Sequence, residues 1–250
     1  MTLNPNIALK DSRKVTTDFS CASCCNTNCL IHRNLQHFPK SSFIDNKKTL
    51  KCKKGQQFII EGTSVNGLFF ILKGTVKVFR TGINGREQIV RFAKEGEIIG
   101  HRGFGTEEQY SIAAIALQDV ILCYFYKDDL QEALLENPNF SYDMMLFYAN
   151  ELNRSESKVK SISQMTVRER VIDTLLYIHR KFGDLRGFLN LPLSRKEYAD
   201  YAGTTEEQVI RIFSTLKKED LITAKGKKIS ITNVQTLKNE ISDHNFYLDT

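Results

Sequence analysis

Residues 194–232 read SRKEYADYAGTTEEQVIRIFSTLKKEDLITAKGKKISIT. Ser194 is a good N-cap for a short helix, and Gly203 gives that helix a clean stop. Thr205 opens a second helix, with Gln208 three residues on in capping-box spacing. Ala199, Gly203 and Val209 fall where two crossed helices need a small residue, a turn and an apolar contact. That is helix-turn-helix logic. Two β-rich runs follow, 221–224 and 228–232, joined by Lys225-Gly226-Lys227. A β-ribbon placed after a helix-turn-helix is a wing. The competing reading is an ordinary helical hairpin. The joint pattern is more specific than any of its parts and predicts a winged helix that binds DNA.

The remaining composition is consistent with that partner. The chain has 250 residues, 41% hydrophobic and 26% charged, which is room for two modest domains with a sizeable core. Its net charge of +6 suits nucleic acid without requiring it. Lys217, Lys218, Lys225, Lys227 and Lys228 cluster around the wing. A lysine run is usually a solvated face, but beside a helix-turn-helix phosphate contact is the better reading. No stretch is apolar and long enough to span a membrane, and MTLNPNIALKDSRK has no hydrophobic signal core. The expectation is a cytoplasmic chain with no membrane partner. Its six cysteines then point to metal binding or redox chemistry rather than disulfides.

Four of those cysteines lie in CASCCNTNC, residues 21–29. Residues 1–20 are polar and expected to be loosely ordered, and residues 31–48 are expected to form a short helix or loop. Between 49 and 126 glycines recur as turn signals, separated by FII (58–60), LFFIL (68–72), TVKVF (75–79) and QIVRF (88–92). Asn84-Gly85 is a strong hairpin signal. Further strands are expected over 111–117 and 120–126. This spacing predicts an all-β sandwich or roll. From Lys127 the period becomes helical. A short helix runs to Pro138, and a long one covers about 139–164. Met145, Tyr148, Leu152, Ser155, Val159 and Ile162 follow a 3-4-3-4-3 spacing, the pattern of a coiled-coil seam. The alternative is a helix packed on its own domain. Asn150, Asn153, Arg154, Ser157 and Lys160 on the opposite face favour the dimer seam. An amphipathic helix over 167–182 leads into the winged helix, and residues 233–250 are expected to add a short helix and a frayed tail.

This order of parts resembles the Crp/Fnr family of bacterial transcription regulators, over roughly residues 21–240. The strongest segments are KKGQQFIIEG (53–62), LFFILKGTVKVFR (68–80), EGEIIG (95–100) and TTEEQVIRIFSTLKKEDLITAKGKKISI (204–231). The resemblance implies an α+β architecture. A cysteine-rich segment (1–30) precedes a cyclic-nucleotide-binding-like β-roll, a double-stranded jelly roll (31–137). A dimerisation helix (138–165) and a C-terminal winged helix-turn-helix (166–250) follow. Within the family the chain looks most like the Fnr branch, whose members carry an oxygen-sensing iron–sulfur cluster. That implies a [4Fe–4S] cluster on Cys21, Cys24, Cys29 and Cys123, tying the N-terminal segment to the roll, with oxygen loosening the tie and the dimer helix repacking. The chain departs from the Fnr pattern at several points. The gap from Cys24 to Cys29 is four residues rather than five, and Ser155 stands where an acid is usual; Cys25 is an additional thiol, so either Cys24 or Cys25 could be the second ligand, with Cys24 preferred because Cys-x2-Cys lets both sulfurs point at one centre. Zinc held by four thiolates and a thiol redox switch are the alternatives. Cys52 reads as a buried, inert core cysteine.

Cyclic-nucleotide-binding members follow a Gly-Glu pair with an Arg-Ser dipeptide. Here Gly96-Glu97 is followed by Tyr110-Ser111, and a phenol cannot neutralise a phosphate. Cyclic nucleotide binding is therefore not expected, and Glu97 reads as a turn residue. His32, His37 and His101 are scattered, and only His101, near the roll, is a candidate haem ligand. There is no nucleophile–base pair, Walker loop or carboxylate dyad, so no enzyme is expected. On the second helix of the motif, Glu207 and Arg211 are one turn apart. Arginine reads guanine and glutamate accepts from cytosine N4, and the pair matches the family's Glu-x-x-x-Arg readers. Ile210 replaces the serine common in Fnr-like members and could meet a thymine methyl. Thr205, Gln208 and Lys228 are expected at phosphates or flanks. The expected function is a homodimeric regulator on a pseudo-palindromic promoter site, working with RNA polymerase. The alternatives are a Crp-like regulator with a small ligand or none in the roll, and an adaptor that binds no DNA.

Overall fold

The computed structural model describes residues 20–38, 42–105 and 108–244. The expectations for residues 1–19 and for the tail at 245–250 lie outside the described residues. The chain packs as two units. The first runs up to Arg80 and resumes over Phe92–Met145. The second takes Thr81–Arg91 and everything from Leu146 on.

The expected roll is formed over residues 48–126. Its strands are β1 (Lys48–Cys52), β2 (Gln57–Ile59), β3 (Gly67–Lys73), β4 (Val76–Thr81), β5 (Glu87–Ala93), β6 (Ile98–Ile99), β7 (Ala113–Ala116) and β8 (Val120–Tyr126). They form two four-stranded sheets, in the orders β1-β8-β3-β6 and β2-β7-β4-β5. Strand β3 is buried nearly throughout, with Leu68, Phe69, Phe70 and Ile71 all inside. Both of its faces are covered, so its sequence is a continuous apolar run rather than an alternation. On one face Phe69 packs against Phe58 and Tyr124, with ring centroids 5.3 and 4.8 Å apart. On the other, Phe70 meets Phe125 at 5.3 Å.

Helix α1 is Leu30–Arg33, and on that second face Phe125 meets Phe43 of helix α2 (Ser42–Asp45). Phe38, Phe43, Phe125 and Phe140 form one aromatic cluster there, with Phe43–Phe125 at 4.8 Å and Phe38–Phe140 at 5.2 Å. Helix α3 (Lys127–Glu136) ends before Pro138 as expected. Pro138 is also the first residue of α4 (Pro138–Gln164), where its missing N–H is no loss. Asn137 Oδ1 accepts the Phe140 N–H at 3.1 Å and caps that start. The 27 residues of α4 give it a length of about 40 Å.

The winged helix lies within the second unit. Helix α5 (Val167–Phe182) opens on a capping box of Thr166 and Glu169. A two-residue hairpin not anticipated from the sequence follows, β9 (Asp184–Leu185) and β10 (Phe188–Leu189). Helices α6 (Arg195–Ala202) and α7 (Glu206–Lys218), strands β11 (Ile222–Lys225) and β12 (Lys228–Ile231), and helix α8 (Val234–Glu240) complete it. Ser194 and Glu197 form a full capping box, and Gly203 ends α6 at φ 67°, ψ 47°, a left-handed conformation that glycine adopts without penalty. Thr205 caps α7 through the Gln208 N–H, but the Gln208 side chain meets the Thr204 hydroxyl instead of returning to the cap. Tyr198 and Phe213 meet edge to face at 5.1 Å, with Ala202, Val209, Leu216, Ile222, Ile229 and Leu237 buried around them. Each fully buried large apolar side chain contributes about 1.5–3 kcal/mol. Arg168 ties α5 to the other elements, pairing with Glu219 at 2.6 Å and with Glu240.

Candidate functional site: cysteine centre and reading helix

Residues 21–29 fold into consecutive turns. The Cys24 N–H donates to Cys21 O at 3.3 Å, Thr27 N–H to Cys25 O at 3.2 Å and Cys29 N–H to Asn26 O at 3.1 Å. The loop docks on the roll. Asn26 Nδ2 donates to the Ile71 carbonyl of β3 at 3.3 Å. A Cβ on Gly96 would stand 3.1 Å from Asn26 Oδ1 and 3.2 Å from Asn28 Cβ, and the Gly96 φ is +87°. Glycine in the EGEIIG turn therefore both makes the turn and leaves room for the loop. His32 Nδ1 lies 3.2 Å from the Cys21 carbonyl.

The four expected ligands are electrostatic neighbours. Burial pushes the Cys123 thiol up to about 12. The Lys47 charge opposes this, while Cys21, Cys29 and Cys24 add to it. Burial also raises the Cys21 thiol, with Lys47 opposing and Cys29 and Cys24 adding. Cys29 is raised by burial against the pull of the His32 and Ile31 backbone N–H groups, and it also feels Cys24. Cys25 is exposed and appears in none of these couplings. Cys52 is buried elsewhere and is raised to about 11 by burial alone, as expected of a core cysteine. Among the described residues, no three His, Cys, Asp or Glu side chains converge tightly enough to hold a metal ion. Four thiols that feel one another's charge are a donor set that either an iron–sulfur cluster or a tetrahedral zinc can use. The backbone donors facing Cys29 and the Asn26 N–H, 3.4 Å from Cys24 Sγ, are the kind of donors that thiolate ligands use.

The cysteine loop is also joined to α4. Buried Asn34, just past α1, donates to Asp143 Oδ2 of α4 at 2.8 Å and to the Leu30 carbonyl at 3.0 Å. Asn137 Nδ2 donates to the His37 carbonyl at 2.9 Å. These links, with Lys47 and Thr49 beside the cysteines, were not foreseen. For Lys47 and Thr49 the only sequence signal is the adjoining strand-like run KTLKC, whose meaning depends on knowing the strand paired with it.

In the roll, Tyr110 is buried and its hydroxyl donates to the Gly67 carbonyl at 2.8 Å. Burial pushes that phenol up to about 12. A neutral phenol committed to a backbone carbonyl thus stands at the dipeptide where cyclic-nucleotide binders keep an arginine. Glu97 takes part in a turn, its N–H donating to Lys94 O at 3.1 Å. His101 is buried in a short turn over His101–Gly103.

Helix α7 buries Val209, Phe213 and Leu216 and leaves Glu207, Ile210 and Arg211 exposed, Ile210 by 49%. The Glu207 carboxyl is held below its usual range first by its own backbone N–H, then by the Thr205 hydroxyl, with Arg211 adding its charge. Lys225, Lys227 and Lys228 are exposed on the wing. On α4 the expected seam is open to solvent in the single chain. Met145 is 56% exposed, Leu152 60%, Val159 67% and Ile162 46%, with Tyr148 and Ser155 half-buried. No helix among the described residues is long and apolar enough to cross a membrane.

Residues 49–137 match the cyclic nucleotide-binding domain family, and residues 169–240 match the Crp-like helix-turn-helix domain. The transcriptional activator protein FnrA of Stutzerimonas stutzeri is 28% identical over 189 residues, covering 74% of this chain and 77% of that protein. The fumarate and nitrate reduction regulatory protein of Escherichia coli is 27% identical over 200 residues, 78% of each. The solved structure of FixK2 from Bradyrhizobium japonicum superposes with a TM-score of 0.69 at 25% identity, covering 77% of this chain and 96% of that one. With a cyclic-nucleotide-type roll, a Crp-like winged helix and these relatives, the chain belongs to the Crp/Fnr family of DNA-binding transcription regulators, which are not enzymes.

Proposed function

We propose that this regulator acts as a homodimer and senses oxygen or redox state through a [4Fe–4S] cluster held by Cys21, Cys24, Cys29 and Cys123. The observation that carries the reading is that Cys21, Cys24, Cys29 and Cys123 lie near enough to feel one another's charge, a coupling in which neither Cys25 nor Cys52 takes part. The regulators named FnrA, Anr and fumarate–nitrate reduction protein among its relatives support the same branch. When bound, the cluster supplies an oxygen-reactive iron centre whose integrity reports oxygen.

The chain's own residues supply the rest. Each cysteine must lose its proton to ligate, which burial opposes and the Lys47 charge assists. Ligation fastens the 21–29 loop to β8. The Asn34–Asp143 hydrogen bond carries that constraint to the first turns of α4, whose exposed stripe is the proposed dimer seam: Met145, Tyr148, Leu152, Ser155, Val159 and Ile162. On DNA, Glu207 and Arg211 read base edges in the major groove, Ile210 meets the outer part of the half-site, and Thr205, Gln208 and Lys228 hold the backbone. RNA polymerase is the further partner this reading implies.

The test is iron and acid-labile sulfide analysis of protein purified without oxygen. Equal iron and sulfide, with broad visible absorbance that bleaches in air, is the expected result. Cys123→Ser should abolish both, whereas Cys25→Ser and Cys52→Ser should preserve them. A colourless anaerobic protein carrying stoichiometric zinc would refute the cluster reading.

A further inference from the structure

Strand β1 presents a buried hydroxyl to the cysteine centre. Thr49 is 5% exposed, and its Oγ1 is buried with no hydrogen-bond partner among the described residues. It stands directly opposite Cys123 in the antiparallel β1–β8 pair. Directly opposed residues project from the same face with Cβ atoms about 5 Å apart. Lys47, two residues earlier and 6% exposed, adds positive charge at the same end of the strand. A buried hydroxyl without an acceptor is unfavourable, and valine would fill the same volume on a β-strand without that penalty. A neutral thiol is a weak acceptor, whereas a thiolate or a sulfide is a stronger one.

We propose that Thr49 is a positioning donor for the sulfur centre, its hydroxyl donating to the Cys123 thiolate or an adjoining sulfide once Cys123 is a ligand. This rests on the cluster reading above. A hydrogen bond to a ligand sulfur stabilises the more negative, reduced state and so raises the reduction potential. It also strengthens the hold on the group, since loss of such a second-layer contact typically weakens binding about 10–100-fold.

Thr49→Val and Thr49→Ser are compared with the parent, each reconstituted anaerobically with ferrous iron and sulfide. Three quantities are read: the midpoint potential of the one-electron couple, the rate of iron loss to a chelator, and the melting temperature of the cluster-free protein. Thr49→Val should show a more negative potential and iron loss about tenfold faster. Cluster-free Thr49→Val should melt no lower than the parent, because an unsatisfied hydroxyl has been removed. Thr49→Ser, which keeps the hydroxyl, should return the potential toward that of the parent. An unchanged potential and unchanged iron loss in Thr49→Val would overturn this inference and leave the cluster reading standing. A melting temperature lowered equally with and without the cluster would assign Thr49 a merely structural role. A parent that takes up no iron and sulfide would overturn the cluster reading, and this inference with it.

Discussion

Leu152→Glu probes the α4 seam at its centre. Leu152 is 60% exposed in the single chain, between Met145 at 56% and Val159 at 67%. Full burial of a leucine is worth about 1.5–3 kcal/mol, so covering the exposed part is worth about 1–2 kcal/mol per copy. A twofold interface uses the residue twice, giving about 2–4 kcal/mol for the dimer. Glutamate removes that contribution and sets two like charges against each other across the seam, which costs about 1 kcal/mol at 4 Å even in water. The sum, about 3–5 kcal/mol, weakens dimerisation by about a hundredfold to several thousandfold. Sedimentation equilibrium over a range of protein concentrations reads this directly, with circular dichroism to verify that helix content is kept. Asn153→Glu, one residue along on an exposed position, is the matched control and should leave the dimer intact. A Leu152→Glu protein whose dimer dissociates no more readily than the parent would show that this stripe is not the interface.

Arg211→Ala should cost about 1–3 kcal/mol per half-site and relax the choice at one G·C pair, read by selection from a random DNA library. Lys228→Ala should weaken binding to all sequences alike and lower the salt slope by about one unit, because a phosphate contact carries charge but no base information. Ser194→Ala removes the hydroxyl that accepts the Glu197 N–H at 3.1 Å and should lower the stability of the winged helix by about 0.5–2 kcal/mol in denaturant unfolding. Asn34→Ala breaks the 2.8 Å bond to Asp143 and should leave iron and sulfide content unchanged while reducing the difference in DNA binding between anaerobic and air-exposed protein.

The winged helix was legible almost to the residue because its boundaries are set by local chemistry. Ser194 and Thr205 cap, Gly203 stops, and the apolar period of α5 runs unbroken over Val167–Phe182. The strand β8 and the Asn84-Gly85 turn were equally plain, the latter because both residues sit at positive φ, 61° and 72°. The hairpin of β9 and β10 was missed because two-residue strands carry no period. Strand β1 was legible only as a strand-like run at Cys52, and the inward face of Thr49 was not. Its alternation of Thr49 and Lys51 with Leu50 looks polar until Thr49 is seen facing inward opposite Cys123. Cys21, Cys29 and Cys123 were singled out through the family resemblance, and Cys24 was preferred to Cys25 on its Cys-x2-Cys spacing alone. Both Cys24 and Cys25 lie in the same turn, and only the fold makes one half-buried and the other exposed. The Asn34–Asp143 link spans 109 residues, and no local pattern encodes it.

The coupling of the cysteine centre to DNA is tested most directly on one anaerobic sample. Its affinity for a library-selected operator is measured by retardation before and after admission of air, with visible absorbance followed on the same material. The account predicts that affinity changes in step with the loss of absorbance, and that Cys123→Ser behaves from the outset like the air-exposed parent. An affinity that stays constant while the colour disappears would contradict it.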